Sequence, residues 1–314
     1  MSEEYVIDVQ GLVKRFANKI AVNSVDLQLK KGEVWGFLGP NGSGKTTTIR
    51  MICGLLHADE GHGTCLGLDI QKDAEQIRRQ TGYMTQRFSF WSDLSIRENL
   101  EFVARLYQIK NKRQVIDDTL KKLGLFDRQK QLAGALSGGW KQRLALAAVT
   151  MHKPKLLLLD EPTAGVDPQA RRDFWDEIHR LSLDGMTVLV STHYMDEAER
   201  CDQIAYLAYG ELITKGSVQQ IIDQSELVTI KGVGSQVRAL LSEIKNNTNI
   251  EQASYFGSAL HVSGHDMTLI KQGIEQAQTK LNIHDIQWQE VSPTLEDVFI
   301  ALTQRTGGDK RGHG

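Results

Sequence analysis

The stretch Gly39–Thr47, GPNGSGKTT, limits this chain's choice of fold more than any other. It follows the apolar run Val34–Leu38 (VWGFL) and precedes Thr47–Leu56 (TTIRMICGLL), whose apolar residues recur at helical spacing. Strand, glycine loop and helix in that order are the context in which a G-x-x-x-x-G-K-[ST] pattern has physical meaning. Gly39, Gly42 and Gly44 let the backbone bend where residues with side chains resist it. Successive N–H groups can then converge on a polyphosphate at the positive end of the following helix. Gly39, Pro40, Asn41, Gly42, Ser43, Gly44, Lys45, Thr46 and Thr47 are all expected to line such a ligand. Lys45 is expected on the β- and γ-phosphates and the Thr46 hydroxyl on Mg²⁺. The expected ligand is a nucleoside triphosphate.

A second apolar run, Leu156–Leu159, has the texture of a strand buried on both faces and ends in Asp160 and Glu161. The C-terminal edge of a strand is where carboxylates can meet a ligand. Asp160 is expected to hold Mg²⁺ opposite Thr46, usually through water, and Glu161 to orient and deprotonate an attacking water. Asp167-Pro168 reads as an N-cap with a proline at the first helical position. Thr187–His193 (TVLVSTH) is another buried strand, and a polar residue terminating it is a candidate to touch phosphate. Gly82–Gln86 reads as a strand ending on glutamine. Phe16, ahead of the glycine loop, either packs in the core or stacks on a purine face, and its residue context alone leans toward packing.

Length and composition bound the rest. With 314 residues, 40% apolar and 24% charged, the chain has the balance of a soluble globular protein of about two domains. A net charge of −2 argues against a general nucleic-acid binder. The three cysteines, Cys53, Cys65 and Cys201, lack disulfide or zinc spacing. The acidic start MSEEYVIDVQ predicts no signal peptide, and no run approaches the roughly 20 apolar residues of a membrane span. Any membrane role is expected to come through a partner.

Between about 88 and 151 the α/β alternation stops. Ser95 and Glu98 stand at capping-box spacing, Ile96, Leu100, Val103 and Tyr107 share a helix face, and Gln114–Gly124 is a further helix. This region predicts an all-helical insertion.

GPNGSGKTT, then Leu136–Trp140 (LSGGW), then LLLLDEP, in that order, strongly resemble the ATP-binding subunit of ABC transporters, over about Tyr5–Ile222. The resemblance implies a P-loop NTPase core of the ABC-ATPase type with ATP and Mg²⁺ as ligands. It implies that Ser137, Gly138 and Gly139 cap a helix aimed at the γ-phosphate held by a second copy, so that a homodimer sandwiches two ATP molecules. It also makes Phe16 the adenine-stacking aromatic and Gln86 the sensor of Mg²⁺ and attacking water. Asp167 becomes an interface aspartate and His193 the switch histidine on the γ-phosphate. Trp140 departs from the pattern by replacing the usual glutamine, as in the drug- and antibiotic-exporter branch, where the membrane subunit is usually a separate chain. The stretch carrying Phe88, Phe90 and Trp91 is where the family docks its transmembrane permease, although these aromatics could also pack within the helical insertion. The chain is thus expected at the cytoplasmic face of the membrane. An importer ATPase and a soluble ABC ATPase acting on ribosomes or DNA are the alternatives.

The last third predicts a small α+β domain of order βαββαβ, ferredoxin-like. Its hairpin turns at Gly257-Ser258, and Thr294 caps a final helix carrying Leu295, Val298, Phe299 and Leu302. SPTLEDVFIALT resembles the end of exporter-branch ATPases. His261 and His265 are expected at the surface. The domains are expected as 1–224 (ATPase), 225–304 (accessory, or stabilising a dimer) and 305–314 (disordered tail).

Overall fold

The computed structural model describes residues 5–311. The chain divides into two compact units, Met1–Lys215 and Gly216–Gly314.

The first unit opens with β1 (Tyr5–Phe16), β2 (Lys19–Lys30), β3 (Val34–Leu38), α1 (Lys45–Ile52), β4 (Glu60–Cys65), β5 (Leu68–Asp69), α2 (Ala74–Gln80) and β6 (Thr81–Met84). The helices α3 (Ile96–Leu106), α4 (Lys112–Lys122) and α5 (Gly138–Thr150) follow. Then come β7 (Leu156–Asp160), α6 (Pro168–Leu183), β8 (Thr187–Thr192), α7 (Met195–Ala198), β9 (Gln203–Ala208) and β10 (Glu211–Gly216). One sheet runs β10-β9-β3-β8-β7-β6, with β9, β3, β8, β7 and β6 parallel. Every residue of β3, β7 and β8 is buried, as a sheet covered on both faces requires. Alternation along β7 assigns the two faces: Leu157 and Leu159 join the core of α3–α6, Leu156 and Leu158 the core under β1, β2 and α1. A second, antiparallel sheet runs β2-β1-β4-β5. The capping box expected at Ser95 and Glu98 forms, and no named strand falls between Phe88 and Met151.

The order β3-β8-β7-β6 brings the C-terminal ends of four parallel strands side by side. The glycine loop, His193, Asp160-Glu161 and Gln86 follow those ends in turn, so a site assembled from distant segments is a consequence of the sheet order. The strand before Gln86 stops at Met84 rather than at the glutamine. There the Thr85 hydroxyl turns back to donate to the Arg87 carbonyl at 2.8 Å, leaving Gln86 on an exposed loop.

The second unit holds α8 (Val218–Ser225), β11 (Val228–Val233), α9 (Val237–Lys245), β12 (Gln252–Phe256), β13 (Ala259–Gly264), α10 (Met267–Leu281), β14 (Gln287–Val291) and α11 (Leu295–Arg311). Its sheet order is β12-β13-β11-β14, the interleaving expected of two βαβ halves. Phe256 pairs with Ala259 across the two-residue turn, and Gly257 takes φ +59° as that turn requires.

Further details differ from expectation. The units part at Lys215 rather than at residue 224, because Ser217 caps a new helix, α8, that packs with α11. The segment expected as a disordered tail is helical through Arg311, since α11, once nucleated at its Thr294 cap, needs only one hydrogen bond per added residue to propagate; residues 312–314 lie outside the described residues. His261 is buried rather than superficial, its Nδ1 3.2 Å from Oδ2 of the fully buried Asp297. His265 is half-buried against Glu251, 2.8 Å away.

Candidate nucleotide site

The loop between β3 and α1 is held so tightly that two of its glycines admit no side chain. A Cβ on Gly39 would lie 2.0 Å from the Leu207 carbonyl oxygen. Gly44, at φ +105°, would press one to 2.5 Å from the Ala21 carbonyl oxygen. Within the loop, Pro40, Asn41 and Gly42 face solvent while Ser43 is buried, its hydroxyl without a hydrogen-bond partner. A buried hydroxyl without a partner, in a loop of this shape, fits a phosphate-oxygen acceptor.

Lys45 opens α1 with its ammonium only 4% exposed, donating to the carbonyls of Gly39 at 2.7 Å and Pro40 at 3.1 Å. Its Nζ also lies 3.7 Å from Glu161 Oε1. Burial pulls the Lys45 pKa below its ordinary value, and the carboxylates of Glu161 and Asp160 oppose that pull. The Thr46 hydroxyl donates to Asp160 Oδ1 at 2.9 Å, which joins the loop to β7. One hydroxyl and one carboxylate, facing a phosphate loop, are the oxygen donors that a hard dication such as Mg²⁺ accepts alongside water and phosphate. Thr47 follows on α1, half-buried.

Glu161 is the meeting point. Gln86 Nε2 donates to its Oε2 at 2.9 Å, and His193 Nδ1 lies 3.4 Å from the same oxygen without the alignment of a hydrogen bond. Its backbone sits at φ +45°, a strained conformation for a residue with a side chain, costing about 1–3 kcal/mol. Ser191 holds it there: the Glu161 N–H is 3.0 Å from the Ser191 hydroxyl and 3.1 Å from its carbonyl. That same hydroxyl donates to Asp160 Oδ1 at 2.7 Å. Tyr83 OH stands 3.5 Å from Asp160 Oδ2, with Arg50 Nε 3.4 Å behind it. Ser191 and Tyr83 escape sequence reasoning. The available signal for Ser191 is a polar residue in a fully buried strand.

Ser137, Gly138 and Gly139 stand at a helix start, as expected. Ser137 is the N-cap of α5, exposed and without a side-chain capping bond. A Cβ on Gly139 would meet Ala170 Cβ at 2.7 Å, so the starts of α5 and α6 abut. Asp167 caps α6, accepting from Gln169 N at 3.1 Å and Ala170 N at 2.9 Å. Trp140 turns into the helical region between two guanidiniums, 4.6 Å from Arg128 and 5.2 Å from Arg143. Phe16 is 50% exposed at the end of β1, outside the core, with Lys14 Nζ 5.8 Å over its ring. Phe88 and Phe90 pack partly against the helical core, while Trp91 stands exposed with its ring 4.2 Å from that of exposed Phe102. The cysteines are buried and free; burial pushes the Cys53 thiol up to about 11 and raises those of Cys65 and Cys201 as well. Among the described residues, no cluster of three or more His, Cys, Asp or Glu is arranged to hold a metal, and no helix is long and apolar enough to cross a membrane.

Fold and site together define a nucleotide-binding protein of the phosphate-loop class, with its carboxylate strand beside the loop strand's neighbour. Comparison with known proteins narrows this. The family model described as ABC transporter matches residues 22–164. The linearmycin resistance ATP-binding protein of Bacillus subtilis is 32% identical, over 96% of this chain and 99% of its own. Nod factor export ATP-binding protein I of Burkholderia orbicola is 34% identical, over 95% and 97%. The chain therefore belongs to the ATP-binding proteins of ABC transporters. A protein named a probable multidrug ABC transporter ATP-binding protein, from Escherichia coli, is 42% identical over 71% of this chain, which spans only 39% of that relative's length. Among solved structures, a dimeric ATP-binding cassette in a post-hydrolysis state with ADP and Pi matches with TM-score 0.62 and 26% identity, over 67% of this chain and 98% of that one.

Proposed function

We propose that the chain is the ATP-hydrolysing subunit of an exporter whose membrane-spanning permease is a separate protein. The observation that carries this is the convergence of Lys45, Gln86 and His193 on the Glu161 carboxylate, one residue from the Thr46–Asp160 hydrogen bond. Lys45 and the loop N–H groups hold the β- and γ-phosphates of ATP, and Phe16 stacks on the adenine. Glu161 orients the attacking water and takes its proton, while Gln86 and His193 hold the carboxylate and the γ-phosphate in line. Mg²⁺, held by Thr46 and Asp160 with Gln86 nearby, supplies charge neutralisation on the phosphate oxygens when bound.

The site is half of a composite. Ser137, Gly138 and Gly139 present the unsatisfied N–H groups and positive end of α5, a surface that complements the γ-phosphate on a second copy. Asp167, exposed where α5 and α6 abut, lies on the same face. ATP binding closes the homodimer and hydrolysis reopens it. Phe88, Phe90 and Trp91 mark the contact with the permease, Trp91 with Phe102 offering the exposed apolar part. That contact would place the chain at the cytoplasmic face of the membrane, and the cargo is read by the permease.

Affinity purification of the tagged chain from detergent-solubilised membranes tests the partner. A stoichiometric polytopic membrane protein is expected, retained by the wild type and lost when Trp91 and Phe102 are both replaced by Asp. Recovery with ribosomes or DNA instead would overturn the assignment.

A further inference from the structure

Glu197, on α7, has no part in the scheme above, yet its side chain is fully buried. A buried carboxylate is costly unless it is paired and hydrogen-bonded, so its partners show what it holds. Among the described residues there are three, from three different segments. Oε1 accepts from the Thr163 hydroxyl, two residues beyond Glu161. Oε2 accepts from the Thr192 hydroxyl at 2.7 Å, immediately before His193. Arg171 Nε stands 3.4 Å from Oε1, one turn into the helix that Asp167 caps.

The network continues around His193. The Tyr194 N–H donates to the Thr192 hydroxyl at 3.0 Å, so the backbone on both sides of His193 is fixed through one threonine. The Arg171 guanidinium lies 4.4 Å over the Tyr194 ring and 3.6 Å from Asp196. The Arg171 N–H donates to the Asp167 carbonyl at 2.9 Å. One carboxylate thus ties together the chain after the water-activating acid, the chain before the histidine and the helix behind the interface aspartate.

We infer that Glu197 is a positioning residue for ATP turnover, keeping Glu161, His193 and Asp167 in mutual register. The inference rests on the roles proposed above for those three residues. Glu197 touches neither the phosphate loop nor Thr46, so its loss acts on turnover and spares nucleotide capture.

The test is steady-state ATPase kinetics and ATP binding on the full chain carrying Glu197→Gln, with Glu161→Gln measured in parallel. The Gln variant keeps the side chain's shape but loses one acceptor, and is expected to lower kcat by at least about tenfold, as loss of an outer-shell partner does. The KM for ATP is expected to stay within about threefold, because the phosphate loop is untouched. Because Glu197 is buried, Thr192→Val supplies a second variant that leaves the carboxylate in place and removes the hydroxyl bonded to Glu197 and to the Tyr194 N–H, and it is expected to show the same split, with Thr192→Ser restoring kcat. Wild-type kcat in a folded Glu197→Gln chain, or in Thr192→Val, overturns the inference. Equal losses in kcat and ATP affinity also overturn it, because they mark a general structural role. Should Glu161→Gln itself retain turnover, the roles assigned to the site fail instead, so the two failures are distinguishable.

Discussion

Glu161→Gln is expected to bind ATP as the wild type does and to turn it over at least about 100-fold more slowly, a loss of about 2.7 kcal/mol of transition-state stabilisation. The substitution keeps the shape of the side chain and leaves an oxygen to accept from Gln86 Nε2, now 2.9 Å from the carboxylate. What it removes is the base. Lys45 keeps its hydrogen bonds to the Gly39 and Pro40 carbonyls and remains available to phosphate, so the affinity for ATP should change by no more than about threefold. With ATP bound and uncleaved, the closed dimer should accumulate. Size-exclusion chromatography with ATP and Mg²⁺ should show a dimer for the variant where the wild type cycles back to monomer. Undiminished turnover would remove Glu161 from the mechanism.

Ser137→Asp is the second large effect, and it separates folding from function. Ser137 is exposed at the N-cap of α5 and makes no side-chain capping bond, so aspartate there should match or improve the stability of the free chain. Toward a second copy the same carboxylate sits where a γ-phosphate is expected. Two like charges about 4 Å apart at a partly screened interface repel by roughly 4 kcal/mol, enough to suppress turnover by 10²-fold or more. The chain should therefore keep its melting temperature and its ATP affinity while ATPase activity disappears. A variant that hydrolyses ATP normally would show that α5 does not meet the nucleotide.

The residues that sequence reveals here are those bound to one another by chain proximity. Gly39–Thr47, Asp160-Glu161 and His193 each follow a strand at its end, and a loop motif must be contiguous to work. Ser191, Tyr83 and Glu197 act across strand pairings or between helices, and no spacing along the chain encodes those contacts. His261 misleads for a different reason. It alternates with Leu260 and Val262 on β13, the pattern of a strand with one wet face, but α11 covers that second face and brings Asp297 onto the imidazole. Phe16 misleads in the opposite sense: a large aromatic beside buried Leu12 and Val13 reads as core, yet the hairpin turn after β1 carries it into solvent. Trp140 stands out as a departure from the glutamine of related motifs, but only the fold reveals the Arg128 and Arg143 guanidiniums that flank it.

The claim that each active site is shared between two copies is tested most directly by measuring ATPase activity per chain as the protein is diluted, with ATP and Mg²⁺ saturating. Activity per chain should fall steeply as the dimer dissociates, while equilibrium ATP binding to the same diluted protein persists. Activity per chain that stays constant down to concentrations where only monomer is present would contradict a shared site.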